Sequence, residues 1–178
     1  MTLILVVGLG NTLMADDGAG VAVAARLCER PLPSWARAEA GGTDALRLVS
    51  LWRGEAEVWL VDAIFRGAEP GTIHRLAHEE VLSIPQGHAG AHALSLPESL
   101  RLIAGTQPDM AAVRYRLWGI EPERVGPSPG LTPRVARAVE AVEEEIRSEF
   151  GRVGAKEVDD GGGRGDSIGG QRETEAEP

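Results

Sequence analysis

Three stretches of this sequence hold side chains able to bind a cation or carry a proton. Asp16 and Asp17 close the run Gly8-Leu9-Gly10-Asn11-Thr12-Leu13-Met14-Ala15, Asp62 follows the apolar Val58-Trp59-Leu60-Val61, and His92 sits in a stretch rich in Gly, Ala and His. Two carboxylates and one imidazole, with coordination positions left open, suit a first-row divalent ion such as nickel, zinc, iron or cobalt better than calcium or magnesium. Each residue also has an ordinary use. Asp17 can cap the helix that follows it, Asp62 can hold a turn through backbone N–H groups, and His92 can be a polar loop residue, as can His74, His78 and His88. Spacing alone leaves both readings open.

Other catalytic machinery is missing from the sequence. There is no Gly-x-Ser-x-Gly elbow, no His-Glu-x-x-His helix and no Cys-x-x-Cys pair. Leu13 stands at the third glycine position of a dinucleotide fingerprint, and no Gly-Lys-Ser/Thr follows to make a phosphate loop. No Ser, Cys or Thr with a paired base offers itself as nucleophile.

The elements that must position these residues follow from hydrophobic periodicity. Residues 3–7 form a continuous apolar run suited to a strand buried on both faces of a parallel sheet. Residues 18–30 then repeat Val21, Ala24, Ala25 and Cys28 at helical spacing, which makes Asp16-Asp17 the turn between strand and helix and Cys28 a buried thiol. An extended piece over residues 35–40 leads to Gly41-Gly42, and Thr43 or Asp44 caps a second helix carrying Leu46, Val49 and Leu51. Val58-Trp59-Leu60-Val61 predicts a strand ending at Asp62. Residues 72–76, after the turn Ala68-Glu69-Pro70-Gly71, predict an antiparallel edge strand.

Periodicity fails over residues 79–94, which read as a loop, and Pro97 then opens a helix with Leu96, Leu100, Ile103 and Ala104 on one face. Residues 113–118 predict another strand. Thr132 and Pro133 start a last helix whose Val135, Val139, Val142, Ile146 and Phe150 form one stripe, with Glu140, Glu143, Glu144 and Glu145 facing water. The fold class is therefore α/β: a three-layer sandwich whose central, mostly parallel twisted sheet of about five strands is flanked by helices on both faces. If the strands are parallel, Asp17 and Asp62 project from the same carboxyl edge. Residues 1–150 make one domain; residues 151–178, with almost no large apolar side chain, read as a disordered acidic Gly-rich tail.

At 178 residues the chain is long enough for a sizeable core. Its net charge of -9 argues against a nucleic-acid partner, and a single cysteine excludes a disulfide framework. With no basic leader and no apolar run of spanning length, a cytoplasmic protein without a membrane partner is expected.

Taken together, Gly8-Leu9-Gly10-Asn11, Asp16-Asp17-Gly18-Ala19-Gly20, Gly41-Gly42-Thr43, Val61-Asp62-Ala63, His92-Ala93-Leu94, Gly119-Ile120-Glu121-Pro122 and Gly130-Leu131-Thr132-Pro133 resemble the ordered motifs of the nickel-iron hydrogenase maturation endopeptidases. The resemblance runs from the first strand to the last helix. It implies an endopeptidase that removes a C-terminal extension from the hydrogenase large-subunit precursor after nickel insertion. Asp17, Asp62 and His92 match the family's metal-binding and catalytic positions. It also implies that the substrate brings the nickel, that zinc or cadmium can occupy the same site, and that the enzyme is a monomer.

Two positions depart from the family pattern. Asp17 stands where some members carry Glu, which leaves open whether Asp16 shares its role, and Ala40 stands where an acidic residue often precedes the Gly-x-Thr run. A nickel-checking chaperone that docks without cutting is the alternative that Ala40 supports. Gly8-Leu9-Gly10-Asn11 alone also resembles the opening of peptidyl-tRNA hydrolases, a reading the acidic charge disfavours.

Overall fold

The computed structural model describes residues 2–84 and 94–161. Five strands, β1 (Ile4–Leu9), β2 (Ala36–Gly42), β3 (Glu57–Ala63), β4 (Ile73–Leu76) and β5 (Arg114–Ile120), form one sheet in the order β2-β1-β3-β5-β4. β1, β2, β3 and β5 are parallel, and β4 runs antiparallel along β5 at the edge. The sheet order turns about β1 and β3, the first and third strands, so the carboxyl ends of this central pair face the crevice where open α/β sheets place ligands.

Every residue of β1 is buried, as a strand covered on both faces must be. On one face α1 (Ala19–Glu29) and α5 (Pro133–Gly161) pack Val23, Leu27, Val135, Val139, Val142, Ile146 and Phe150 against Ile4, Val6, Trp59, Val61 and Trp118. On the other, α2 (Leu48–Leu51), α3 (His78–Leu82) and α4 (Leu96–Thr106) pack Leu48, Val81, Leu100 and Ile103 against Leu5, Val7, Val58, Leu60 and Leu117. The three-layer α/β architecture, the antiparallel edge strand and the stripe of the last helix stand as expected.

Several local expectations are corrected. The buried stripe of α1 is Ala19, Gly20, Val23, Ala24 and Leu27, displaced from the expected one, and Cys28 is exposed with its Sγ 3.5 Å from the Ala38 carbonyl oxygen. Small residues at both registers concealed the stripe. Asp44 does cap the second helical segment, accepting from the Leu46 N–H at 2.9 Å, but Leu48 rather than Val49 enters the core. Part of the expected loop over residues 79–94 is α3, whose start is tied by Glu80 accepting from the Ala77 N–H at 2.8 Å.

Glu143 does not face water: it is buried and bonded to Arg26, Arg30 and Arg147. The last helix also passes the boundary drawn at Phe150 and continues to Gly161, because Val153 extends the stripe and packs on the same cluster as Trp35. The rest of the expected tail, residues 162–178, lies outside the described residues.

Candidate functional site

The site begins where β1 ends. Gly10 takes φ of 122°, and Asn11, the next residue, donates its N–H to Asp17 Oδ2 at 2.9 Å, folding the loop back on itself. Ala15 then adopts φ 53° and ψ -122°, a left-handed conformation that costs an alanine about 1–3 kcal/mol. The surroundings hold it there. Its N–H donates to the Ser128 carbonyl at 2.8 Å, its carbonyl accepts from Gly18 at 3.0 Å, and it bridges Val125.

Across this turn the adjacent aspartates take different surroundings. Asp16 is fully buried and accepts from the backbone N–H of Glu123 at 3.0 Å, of Arg124 at 2.9 Å and of Thr132 at 2.7 Å, and from the Thr132 hydroxyl at 3.0 Å. Both its oxygens are committed to the loop between β5 and α5. The Thr132 hydroxyl expected to cap α5 serves Asp16 instead. Asp17 is half-buried, and among the described residues its carboxylate accepts from the Asn11 N–H alone.

Asp62 lies near the end of β3, at the same carboxyl edge, and accepts from the Ala63 N–H at 2.9 Å. Burial, and after it the negative charge of Asp17, raise its carboxyl from 3.8 to about 7, although the Ala63 bond acts the other way. The two partly buried carboxylates therefore sense each other. The pair supplies carboxylate oxygens at one edge of the sheet, a charge arrangement that a divalent cation would complement.

His92, the third expected ligand, lies outside the described residues. Among the described residues no group of three or more His, Cys, Asp or Glu side chains is placed to hold a metal ion.

The loop after Asp62 is braced by a residue to which sequence reasoning gave no role. Glu121 is buried at the end of the Gly119-Ile120-Glu121 run and accepts from the N–H of Arg66 at 2.9 Å and of Gly67 at 3.0 Å; His74 Nε2 lies 3.1 Å away. Burial pushes its pKa up, but the bonds from Arg66, His74, Gly67 and Ala68 outweigh that and hold it below the usual carboxylate range. The available signal was an acid between Ile120 and Pro122 at a strand end.

A cleft of about 350 Å³ opens beside the first loop, between Asn11 and Thr12 on one side and Ala40, Thr43 and Arg47 on the other. Ala40 is exposed there and contributes no carboxylate. A larger concavity of about 420 Å³ near the starts of β3 and β5 is lined by ion pairs, Arg75 with Glu145 and Arg116 with Glu57 and Glu149, and contains neither aspartate.

Residues 36–149 match the family model for hydrogenase maturation protease. The chain belongs to the hydrogenase maturation protease family. It is 30% identical over 159 residues to the hydrogenase 2 maturation protease of Escherichia coli, covering 87% of this chain and 94% of that one. It is 32% identical over 149 residues to a putative hydrogenase maturation protease of Methanocaldococcus jannaschii, covering 83% and 96%. The structure of the hydrogenase maturating endopeptidase from E. coli superposes with a TM-score of 0.72 at 30% identity over 86% of this chain and 94% of that one.

The protein is thus a protease of this family. The matched region starts after Gly8-Leu9-Gly10-Asn11. No helix among the described residues is long and apolar enough to cross a membrane.

Proposed function

We propose that this protease removes a C-terminal extension from the large-subunit precursor of a nickel-iron hydrogenase once nickel is in place. Asp17, Asp62 and His92 are the residues through which it recognises the substrate's nickel. The observation that carries this reading is the placement of the two carboxylates: Asp17, in the loop after β1, and Asp62, near the end of the adjacent parallel strand β3, stand at one carboxyl edge of the sheet, close enough for the charge of Asp17 to act on Asp62. The nickel is part of the substrate, and zinc or cadmium can take its place.

Hydrolysis then adds water across the scissile amide. The water oxygen bonds to the carbonyl carbon, the carbon–nitrogen bond breaks, and the departing amine takes a proton. Asp17 and Asp62 orient the reacting groups beside the ion, and an ionised carboxylate there can accept the proton from water. The enzyme acts as a monomer in the cytoplasm.

The test is incubation of nickel-loaded and nickel-free precursor with the protein, followed by mass spectrometry of the C-terminus. Cleavage of the loaded form alone, abolished in Asp62→Ala, is expected. Full cleavage by Asp62→Ala, or equal cleavage without nickel, refutes the reading.

A further inference from the structure

Three large apolar side chains stand exposed on the loops that surround the two aspartates: Leu13 at 71%, Phe65 at 73% and Val125 at 42%. Leu13 lies four residues before Asp17, Phe65 three after Asp62, and Val125 on the loop that Asp16 anchors. Phe65 is one of only two phenylalanines in the sequence; the other, Phe150, is buried in the core.

This exposure is not slack backbone. The Leu13 N–H donates to Asn11 Oδ1 at 3.0 Å and its carbonyl accepts from Ser128 at 3.1 Å. Phe65 is fixed on both sides, by the Ile64 N–H on the Ile120 carbonyl at 3.0 Å and the Arg66 N–H on Glu121 at 2.9 Å. Val125 bridges the strained Ala15. Three separate loops therefore hold apolar groups out to water on constrained backbone. Apolar groups gathered at one edge of a molecule mark an interaction site, and aromatic anchors carry much of the energy of such sites.

We propose that Leu13, Phe65 and Val125 form an apolar rim on which the folded protein substrate seats while its C-terminal segment enters between the aspartates. This rests on the function proposed above. The occupant follows from position: a protein whose scissile bond reaches Asp17 and Asp62 covers the loops on which the rim stands, so docking surface and site are continuous. A second copy of this chain seated there would obstruct its own site. An anionic lipid surface would meet two carboxylates and a chain of net charge -9.

Two measurements on the full chain test the rim separately from the reaction. Binding of the nickel-loaded precursor is followed by calorimetry, and cleavage by mass spectrometry, for wild type, Leu13→Ser, Phe65→Ser and a control, Leu102→Ser, exposed on α4. Each rim variant is expected to weaken Kd about tenfold or more, with an unchanged unfolding midpoint and an unchanged turnover of bound precursor, while the control binds as wild type. Unchanged Kd in both rim variants overturns the proposal. So does sedimentation of the wild type as a dimer that Phe65→Ser dissociates. Failure of the wild type to cleave refutes the function proposed above, while the Kd comparison still decides the rim.

Discussion

Asparagine substitutions at the two adjacent aspartates should have opposite consequences. In Asp16→Asn one carboxylate oxygen becomes an NH2 donor. With the amide oxygen at the Oδ2 position, the Glu123 and Arg124 N–H groups and the Thr132 hydroxyl keep their acceptor, but the NH2 then confronts the Thr132 N–H that made a 2.7 Å bond. With the amide turned over, those three donors lose it instead. Either orientation places donor against donor in a fully buried site.

One orphaned buried donor costs about 1–3 kcal/mol, and the remaining bonds lose the charge that strengthened them. The expected destabilisation is about 3 kcal/mol, a large fraction of the 5–15 kcal/mol that holds a domain of this kind together. Asp17→Asn keeps an oxygen for the Asn11 N–H and sits at a half-buried position, so its effect on stability should stay below about 1 kcal/mol. Its effect on cleavage should be near-complete loss, because the charge facing Asp62 is gone.

Urea unfolding followed by far-ultraviolet circular dichroism gives the first quantity, and the precursor assay gives the second. A stable Asp16→Asn together with an unfolded Asp17→Asn would refute the assignment. Equal loss of activity in both, with no difference in stability, would mean that Asp16 shares the chemistry.

Two further outcomes follow from the last helix. Burial pushes the Glu143 carboxyl up, yet the bonds from Arg30, Arg147 and Arg26 prevail and bring it to about 2. A depressed carboxylate contributes its full stability above the ordinary value of 4.5 and loses it as pH falls toward 2. Because Arg30 is 55% exposed, solvent screening reduces the contribution to about 1–2 kcal/mol. Glu143→Gln should therefore be less stable than wild type at about pH 7, and the gap should close near pH 2; a gap independent of pH would contradict the buried ion cluster. Ending the chain after Phe150 removes Val153 from its contact with the core and leaves Phe150 at a fraying end, so it should cost about 2 kcal/mol relative to ending after Gly161. Identical thermal midpoints for the two truncations would restore the earlier boundary.

What the sequence revealed and what it concealed divide along physical lines. Continuous runs such as Val58-Trp59-Leu60-Val61, and the stripe from Val135 to Phe150, have few ways to hide their apolar surface, so strand and helix were legible from them. The register of α1 was not, because alanine and glycine at several positions weaken the contrast between faces. The loop chemistry was half legible. Acids at strand ends suggested a site, but acids that accept backbone N–H groups and acids free to meet a ligand are the same residues in a sequence. Asp16, Glu121 and Glu143 are buried because of partners 107, 55 and 117 positions away, and nothing local announces such partners.

The glycines of the first loop take their meaning from the same long-range view. A Cβ at Gly8 would strike the Gly20 carbonyl, and one at Gly20 would strike the carbonyl oxygens of Val61 and Leu9. The start of α1 is therefore pressed directly onto the backbone of β1 and β3. Asp17 lies three residues before Gly20, and Asp62 immediately follows Val61. The close approach that these glycines permit is what brings the two carboxylates within each other's field. A side chain at Gly20 would push α1 away from β3 and lengthen that separation. The glycine pattern that suggests a phosphate cradle in a sequence thus serves, in this fold, to fix the distance between Asp17 and Asp62 from below, while Asp16 and Glu121 brace their loops from the side.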